Sequence, residues 1–133
     1  MIGAISTALT GLFAASKRVE ASASNIANVS SAGSLDPESP IQPYNALTTV
    51  QTSTESGGTS ATNIPKSPGF VHAYAPDSPF ANASGEVGVP NVDLAEEAVN
   101  LKLAEIAYKA NISVLKTAGE MSDELLNTFD ERV

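Results

Sequence analysis

The sequence contains no cysteine and no tryptophan, and only 5% of its 133 residues are aromatic. The absence of cysteine excludes disulfides, thiolate nucleophiles and most structural zinc sites. Much of the 42% apolar content is alanine, so little bulky side chain is available for a deep core. Basic residues are also scarce: 7 Lys and Arg stand against 15 Asp and Glu, for a net charge of −8. This charge has the wrong sign for binding nucleic acid or an anionic membrane.

Groups that could carry chemistry are equally sparse. His72 is the only histidine, and it has no second histidine or cysteine to serve as a ligand or base partner. No serine lies in a nucleophile-elbow motif, and the Gly57-Gly58 pair lacks the flanking pattern of a phosphate-binding loop. The sequence therefore predicts no catalytic residue, no cofactor and no metal site, and we do not expect an enzyme.

Long hydrophobic runs are missing as well. No stretch reaches the ~18 uninterrupted apolar residues that a membrane-spanning helix needs, so we expect no direct membrane insertion. The apolar N-terminal run has no preceding Lys or Arg and is interrupted by Ser6, Thr7 and Thr10. These features argue against a cleaved signal peptide.

Proline is absent from both ends of the chain and concentrated between them. All eight prolines and six of the nine glycines lie within residues 29–91, which excludes long helices there. Candidate strands are Tyr44 to Thr54, Phe70 to Tyr74 and the short Glu86 to Val89. Ser56 to Thr59 would supply the turn or loop between the first two. We expect an extended, partly β segment with room for a small hairpin against the helices.

The N-terminal segment, residues 2–28, predicts a helix that packs on another helix. Its larger apolar residues recur at alternating steps of four and three, which is the spacing of a heptad seam. The remaining surface is rich in glycine and alanine, so neighbouring backbones can come close from several sides. The predicted seam is Ile5, Leu9, Leu12, Ser16, Val19, Ala23 and Ile26.

The C-terminal segment, residues 92–130, predicts a second and longer helix. Pro90 precedes it, and Asn91 or Asp93 can cap its N-terminus. Between Ala98 and Ala118 the apolar residues spread beyond one seam, so a single partner helix cannot cover them and some must meet other chains. The predicted seam is Leu94, Ala98, Leu101, Glu105, Tyr108, Ile112, Leu115, Gly119, Ser122, Leu126, Phe129 and Val133.

The expected fold is mainly α, with long N- and C-terminal helices paired as a coiled coil around a middle rich in Pro, Gly, Ser and Thr. Residues 1–133 form one domain in this interpretation, divided into the helix 2–28, the middle segment 29–91 and the helix 92–130. The predicted assembly interface is Ile5, Leu9, Leu12, Val19, Asn25, Ile26, Asn28, Leu94, Leu101, Leu103, Ile106, Tyr108, Asn111, Ile112, Leu115 and Leu126.

Two motif blocks lie at the two ends of the chain. The N-terminal block consists of residues Gly11 to Ser16 and Ala23 to Asn28, and the C-terminal block consists of Pro90 to Leu94 and Tyr108 to Asn111. Together they resemble the motifs of the bacterial flagellar axial proteins, which form the rod and hook. The C-terminal block is similar to the signature of the proximal-rod members. The short length and the segment from Ser78 to Val89 are most similar to a small proximal-rod type.

This resemblance implies a structural subunit that assembles into a helical tube, transmits motor torque and surrounds the export channel. It implies a place in the periplasm-spanning rod of the basal body, reached by type III export without a cleaved signal peptide. The implied partners are copies of the chain, other rod proteins, basal-body adaptor and MS-ring components and the export apparatus, in a helical hetero-oligomer.

The sequence leaves two alternatives open, one for the role of three asparagines and one for the function of the chain. Asn25 and Asn28 can simply end the N-terminal helix, or they can form the polar lock within the inner tube that the resemblance implies, and Asn111 invites the second interpretation too. The alternative function is a secreted helical-hairpin adaptor or effector that uses the same seams to bind a partner helix.

Overall fold

The computed structural model describes residues 2–130, with side chains described for residues 3–128. Within this range two helices flank two β-hairpins, and each hairpin is a separate antiparallel two-stranded sheet. Neither helix is apolar enough over a sufficient length to cross a bilayer. In chain order the elements are α1 (Ile2–Asn28), β1 (Leu47–Ser53), β2 (Thr59–Pro65), β3 (Phe70–Tyr74), β4 (Glu86–Pro90) and α2 (Leu94–Asp130).

The prediction of a mainly α fold, with a coiled-coil pair and an extended middle, is wrong. The structure is a mixed fold of two helices and four strands. Strand β2 was not predicted because its sequence includes Ala61, Asn63 and Pro65, residue types that are depleted in strands. It becomes a strand by pairing with β1, in a register that sets Leu47 opposite Pro65 and Ser53 opposite Thr59.

The turn between β1 and β2 depends on two glycines. Gly57 and Gly58 have φ angles of 81° and 97°, a conformation that only glycine adopts without steric cost. Backbone hydrogen bonds join Thr54 to Gly58 at 3.2 Å and Gly57 to Thr54 at 3.0 Å. The turn, residues 54–58, thus overlaps the predicted residues 56–59, but it connects β1 to β2 and not to the strand at residues 70–74.

The second hairpin, formed by β3 and β4, directly precedes α2. Strands β3 and β4 pair in a register that sets Phe70 opposite Pro90 and Tyr74 opposite Glu86. On the outer edge of β4, the backbone groups of Gly88 exchange two hydrogen bonds of 3.0 Å with Gly33. The loop after α1 is therefore held against this hairpin, directly before the chain enters α2.

The two helices run antiparallel and approach closely. Near one end Asn25 of α1 contacts Glu97 of α2, and further along Gly11 lies against Asn111. A Cβ atom on Gly11 would lie 2.6 Å from the Asn111 amide atoms, well inside van der Waals contact. A side chain at position 11 would therefore have to displace the Asn111 amide.

Small residues, not the predicted seam, face inward on α1. Buried residues include Ala8, Ala15, Ser22 and Asn25, and each lies one residue before a position of the predicted seam. One residue turns a helix by about 100°, so the bulky seam points away from α2. The small face is favoured because α1 must accommodate α2 and the β1–β2 hairpin side by side.

The same shift occurs on α2. Glu97, Ala104 and Ala118 are buried and recur at multiples of seven residues, one residue before the predicted seam positions 98, 105 and 119. Among the buried hydrophobic side chains of the described residues, alanine therefore predominates, and Val87 is the larger one. The buried apolar residues are Ala8, Ala14, Ala15, Ala21, Ala46, Val87, Ala104 and Ala118.

The close crossing at Gly11 is testable with a matched pair of leucine substitutions. Gly11→Leu should lower the free energy of unfolding by about 1–3 kcal/mol, because the new side chain displaces Asn111. Gly119→Leu should be neutral or stabilising by up to about 1 kcal/mol, since a Cβ there meets open space and leucine favours helix over glycine. Urea unfolding of the purified chain measures both, and equal effects would contradict the crossing.

Candidate assembly interface

Asn25 links α1 to both of its neighbours. The residue is 1% exposed, and its Nδ2 donates to the Glu97 carboxylate at 2.6 Å and to the Leu47 carbonyl at 2.8 Å. Its Oδ1 accepts from the Leu47 N–H at 2.7 Å and from the Tyr44 hydroxyl at 3.2 Å. Both amide hydrogens and both acceptor positions are used. A single fully satisfied side chain therefore fastens α1, α2 and the start of β1 together.

The position at which α2 begins places the Glu97 carboxylate next to the Asn25 amide. Asp93 caps the helix, since its Oδ1 accepts from the N–H groups of Ala95 at 2.8 Å and Glu96 at 3.3 Å. The other predicted cap, Asn91, donates instead to the Pro68 carbonyl. Of the two candidates it is Asp93 that sets the first turn, one turn before the buried Glu97.

Asn28 and Asn111 behave differently from Asn25. Asn28 donates to the Ser24 carbonyl at 2.9 Å, and Asn111 donates to the Ala107 carbonyl at 2.8 Å, so both bond within their own helix. Asn111 also packs against Gly11 of α1. Of these three asparagines, Asn25 is the one whose side chain hydrogen-bonds to other elements.

The β1–β2 hairpin covers one side of α1 and is fastened at both ends. At its base Leu47 bonds to Asn25, and at its tip the Thr59 N–H donates to Thr10 Oγ1 at 3.1 Å. Gly58 approaches the same threonine so closely that a Cβ there would overlap Oγ1. This side of α1 is therefore occupied within the chain and is not available to another subunit.

Most of the predicted interface residues lie on the outside of the chain, and Asn25 alone among them is buried. Leu12, Ile26, Asn28, Leu101, Asn111 and Leu115 are half-buried. The exposed members are Ile5, Leu9, Val19, Leu94, Leu103, Ile106, Tyr108, Ile112 and Leu126.

Six of these sixteen residues belong to two apolar stripes, one on each helix, whose members are mostly exposed. The first, the α1 stripe, consists of Ile5, Leu9, Leu12, Ser16 and Val19. The second, the α2 stripe, consists of Val99, Leu103, Ile106, Ala110, Val114, Thr117 and Met121. Val99, Val114 and Met121 were not among the predicted interface residues, although their helical spacing from Leu103 and Ile106 was a usable signal.

A groove follows each side of the helix pair, and each groove borders one stripe. The first, of about 380 Å³, is lined by Ser16 and Val19 of the α1 stripe together with α2 residues that include Tyr108 and Lys109. The second, of about 610 Å³, is lined by Ala4 and by α2-stripe residues from Ala110 to Met121. The two stripes therefore lie on opposite sides of the helix pair.

A charged flank on α2, formed by Lys102, Glu105 and Lys109, borders the first groove. Glu105 accepts hydrogen bonds from Lys109 and from Lys102, and these lower the pKa of Glu105 from 4.5 to about 2. Glu105 is partly exposed, so this cluster contributes little to stability. Its effect is to keep this flank of the helix hydrated.

The Asn25 contacts generate a prediction about stability. Asn25→Ala should lower the free energy of unfolding by about 2–4 kcal/mol, because Leu47 and Glu97 lose their partners in a buried site. Asn28→Ala, which removes one bond within a helix, should cost less than about 1 kcal/mol. Thermal unfolding compares the two, and equal losses would contradict a special role for Asn25.

Replacing Asn25 with aspartate should make the stability of the chain depend on pH. Asn25→Asp places a second carboxyl next to Glu97, and like charges at this distance raise the pKa of the pair. The variant should be destabilised at neutral pH and should approach the wild-type stability as the pH falls and the pair takes up a proton. Unfolding curves at several pH values measure this, and a deficit independent of pH would contradict the contact.

The charged flank is tested by a carboxyl titration. Because the folded pKa of Glu105 is depressed, its contribution is present above about pH 4.5 and disappears as the pH falls towards 2. Lys109→Met should raise the Glu105 pKa towards its ordinary value, whereas Lys116→Met should leave it unchanged. NMR of the side-chain carboxyl reports both, and no change in Lys109→Met would contradict the pairing.

Comparison with known proteins identifies the family to which the chain belongs. The family model "Flagellar basal body rod FlgEFG protein C-terminal" matches residues 83–128. The flagellar basal-body rod protein FlgC of Salmonella typhimurium is 36% identical over 118 residues, covering 84% of this chain and 85% of the relative. FlgC of Yersinia enterocolitica is 38% identical, with 81% and 82% covered, and that of Aquifex aeolicus is 28% identical, with 97% of each covered. The chain therefore belongs to the FlgC family of flagellar basal-body rod proteins and is a structural component of that rod.

Proposed function

We propose that the chain acts as a non-enzymatic building block that assembles with itself and with other rod proteins into a helical tube. This tube transmits motor torque and surrounds the export channel. Its further partners in this proposal are the basal-body adaptor and MS-ring components and the type III export apparatus, through which the chain travels without cleavage.

The observation that carries this proposal is the inverted distribution of apolar side chains. The interior contains alanine, while large apolar residues such as Leu9, Ile106 and Met121 are exposed. Fully burying one such side chain stabilises by about 1.5–3 kcal/mol. The isolated chain leaves roughly half of this energy unused, because Leu9, Ile106 and Met121 are 44%, 55% and 57% exposed. Assembly with other subunits would recover it, whereas an enzyme would need convergent polar groups at these surfaces.

Mechanical coupling within the subunit also supports the proposal. A torque-bearing subunit must not shear internally, and here Asn25 fastens three elements at one end of α1 while Thr10 holds the hairpin tip near the other. The close contact of Gly11 with Asn111 resists sliding of the helices in between. Load applied to one exposed stripe is therefore passed to the other through a tightly connected unit.

The alternative, an adaptor that binds one partner helix, fits these surfaces less well. One helix laid in one groove would cover one stripe and leave the other exposed. Large exposed apolar patches are a liability for a protein that stays monomeric. Two stripes on opposite sides favour a subunit with a neighbour on each side.

A gene-deletion strain tests the proposal. Deletion should abolish swimming and leave basal bodies without a complete rod, and the wild-type chain should restore both. Ile106→Glu should reduce incorporation into basal bodies about tenfold or more, because it places a charge in a buried contact. Lys116→Glu changes the charge more but lies on the hydrated flank, so it should restore swimming.

Electron microscopy of purified basal bodies and swimming in soft agar provide the two measurements. Circular dichroism of both purified variants confirms that their monomers fold equally well. Normal flagella and swimming in the deletion strain would contradict the proposed function.

A further inference from the structure

Each hairpin turns one outer edge towards the rest of its own chain. On β1, both backbone groups of Leu47 bond to Asn25, and Gln51 lines a small cavity together with residues of both helices. The outer backbone groups of β4 bond to three loop residues, which are Gly33, Asn82 and Val92. These two edges are therefore used within the chain.

The outer edge of β3 is open. Directly after the strand the Ala75 N–H donates to the Gly85 carbonyl of the paired segment at 2.9 Å, and the direction of the backbone groups alternates from residue to residue. Phe70, His72 and Tyr74 consequently turn their N–H and C=O groups away from β4. None of these groups meets a hydrogen-bonding partner within residues 2–130.

The outer edge of β2 is open as well. The Thr54 N–H donates to the Gly58 carbonyl at 3.2 Å where the hairpin turns. By the same alternation Thr59, Ala61 and Asn63 turn their backbone groups away from β1. The Thr59 N–H confirms this direction, because it donates to α1. The Thr59 carbonyl and the N–H and C=O groups of Ala61 and Asn63 have no hydrogen-bonding partner in the part of the chain that the structure describes.

A third groove follows this edge, between β2 and α1. It has a volume of about 470 Å³, and its lining includes Phe13 and Lys17 of α1 and Thr59 and Ala61 of β2. The Phe13 side chain is 62% exposed, and Lys17 is paired with Glu20 at 2.7 Å. The groove therefore offers an aromatic ring, and its two charged residues neutralise each other, so it suits an uncharged aromatic side chain.

Antiparallel pairing of the two open edges brings the exposed aromatic residues of β3 to this groove. The register that uses the most outward groups sets opposite each other Ala61 and His72, Thr59 and Tyr74, and Asn63 and Phe70. It forms about five hydrogen bonds, since only the Thr59 N–H is already engaged. Opposite residues share one face of a sheet, so Tyr74, which is 76% exposed in the isolated chain, enters the groove beside Phe13.

A second copy of the chain is the occupant that supplies the matching edge. Strands β2 and β3 lie in separate sheets, and an edge that stays exposed invites uncontrolled pairing. Pairing of β3 with β3 around a two-fold axis would leave both β2 edges and both grooves uncovered. Pairing of β3 with β2 covers one edge of each kind and leaves one of each, so the contact repeats from copy to copy.

We propose that successive copies of this chain join their hairpins into a continuous sheet, in which β3 of one copy adds to β2 of the next with His72 opposite Ala61. The inference rests on the proposed function and deepens it, because it names a second copy as the partner, the two strands in contact and their register. It also explains why Phe13 and Tyr74 are exposed although they belong to neither stripe.

Disulfide cross-linking tests the contact, because the chain contains no cysteine. In the proposed register Thr62 of one copy lies directly opposite Val71 of the next, as a non-hydrogen-bonded pair with Cα atoms about 4.5 Å apart, within the range of a disulfide. Both residues are exposed in the isolated chain. Thr62→Cys and Val71→Cys, carrying different tags, are produced together in the deletion strain, and purified basal bodies are treated with a mild oxidant.

We expect a mixed disulfide dimer, at least about tenfold more abundant than the one obtained when Thr52→Cys replaces Thr62→Cys. Thr52 is exposed on the same face of the hairpin, but it lies on β1, two strand spacings or about 10 Å from the neighbouring β3, beyond the reach of a disulfide. Ser60→Cys with Ala73→Cys is a second pair in the same register and should behave like the first.

Three results would overturn the contact and leave the rod function standing. They are a dimer between two Val71→Cys chains, equally abundant dimers from Thr52→Cys and Thr62→Cys, and no mixed dimer from either pair in basal bodies that contain both chains. Absence of even the wild-type chain from basal bodies would overturn both the contact and the rod function.

Discussion

A buried primary amide must find partners for both of its hydrogens and both of its acceptor positions, and the rest of this fold is arranged around that demand at Asn25. Leaving such a group unpaired costs about 1–3 kcal/mol for each lost contact. Here the partners come from Leu47, Tyr44 and Glu97, in the first hairpin, the loop before it and the second helix. The amide can be satisfied only when these elements are in place together, so their docking is cooperative.

The orientation of the helices follows from this contact. With Asn25 facing inward, the face of α1 that meets α2 and the hairpin must carry small side chains, and it does, at Ala8, Ala15 and Ser22. The bulky residues are then turned outward. A monomer built this way gains little from its own core and keeps large apolar side chains on its surface, where we propose that neighbouring subunits cover them. The rod function of the FlgC family is consistent with that arrangement.

The spacing of apolar residues located both helices from the sequence but did not determine which face turns inward. The sequence predicted that the bulky seam of α1 packs on α2. The residues that face inward each lie one position before a seam residue, because small side chains such as alanine allow a closer approach of the helices. Strand β2 could not be predicted, because its pairing with β1 and not its composition makes it a strand. The partners of Asn25 lie 19, 22 and 72 residues away, and no local pattern reveals contacts at such separations.

The central claim is that small residues hold the subunit together while the bulky stripes hold the assembly together. A cryo-electron microscopy map of the purified basal body, at a resolution that shows side chains, tests it most directly. We expect the map to show Gly11 in contact with Asn111 within each subunit and both stripes buried against neighbouring subunits. A map in which Ile5, Leu9 and Leu12 pack on α2 of their own chain, with the alanine face turned towards other subunits, would contradict it.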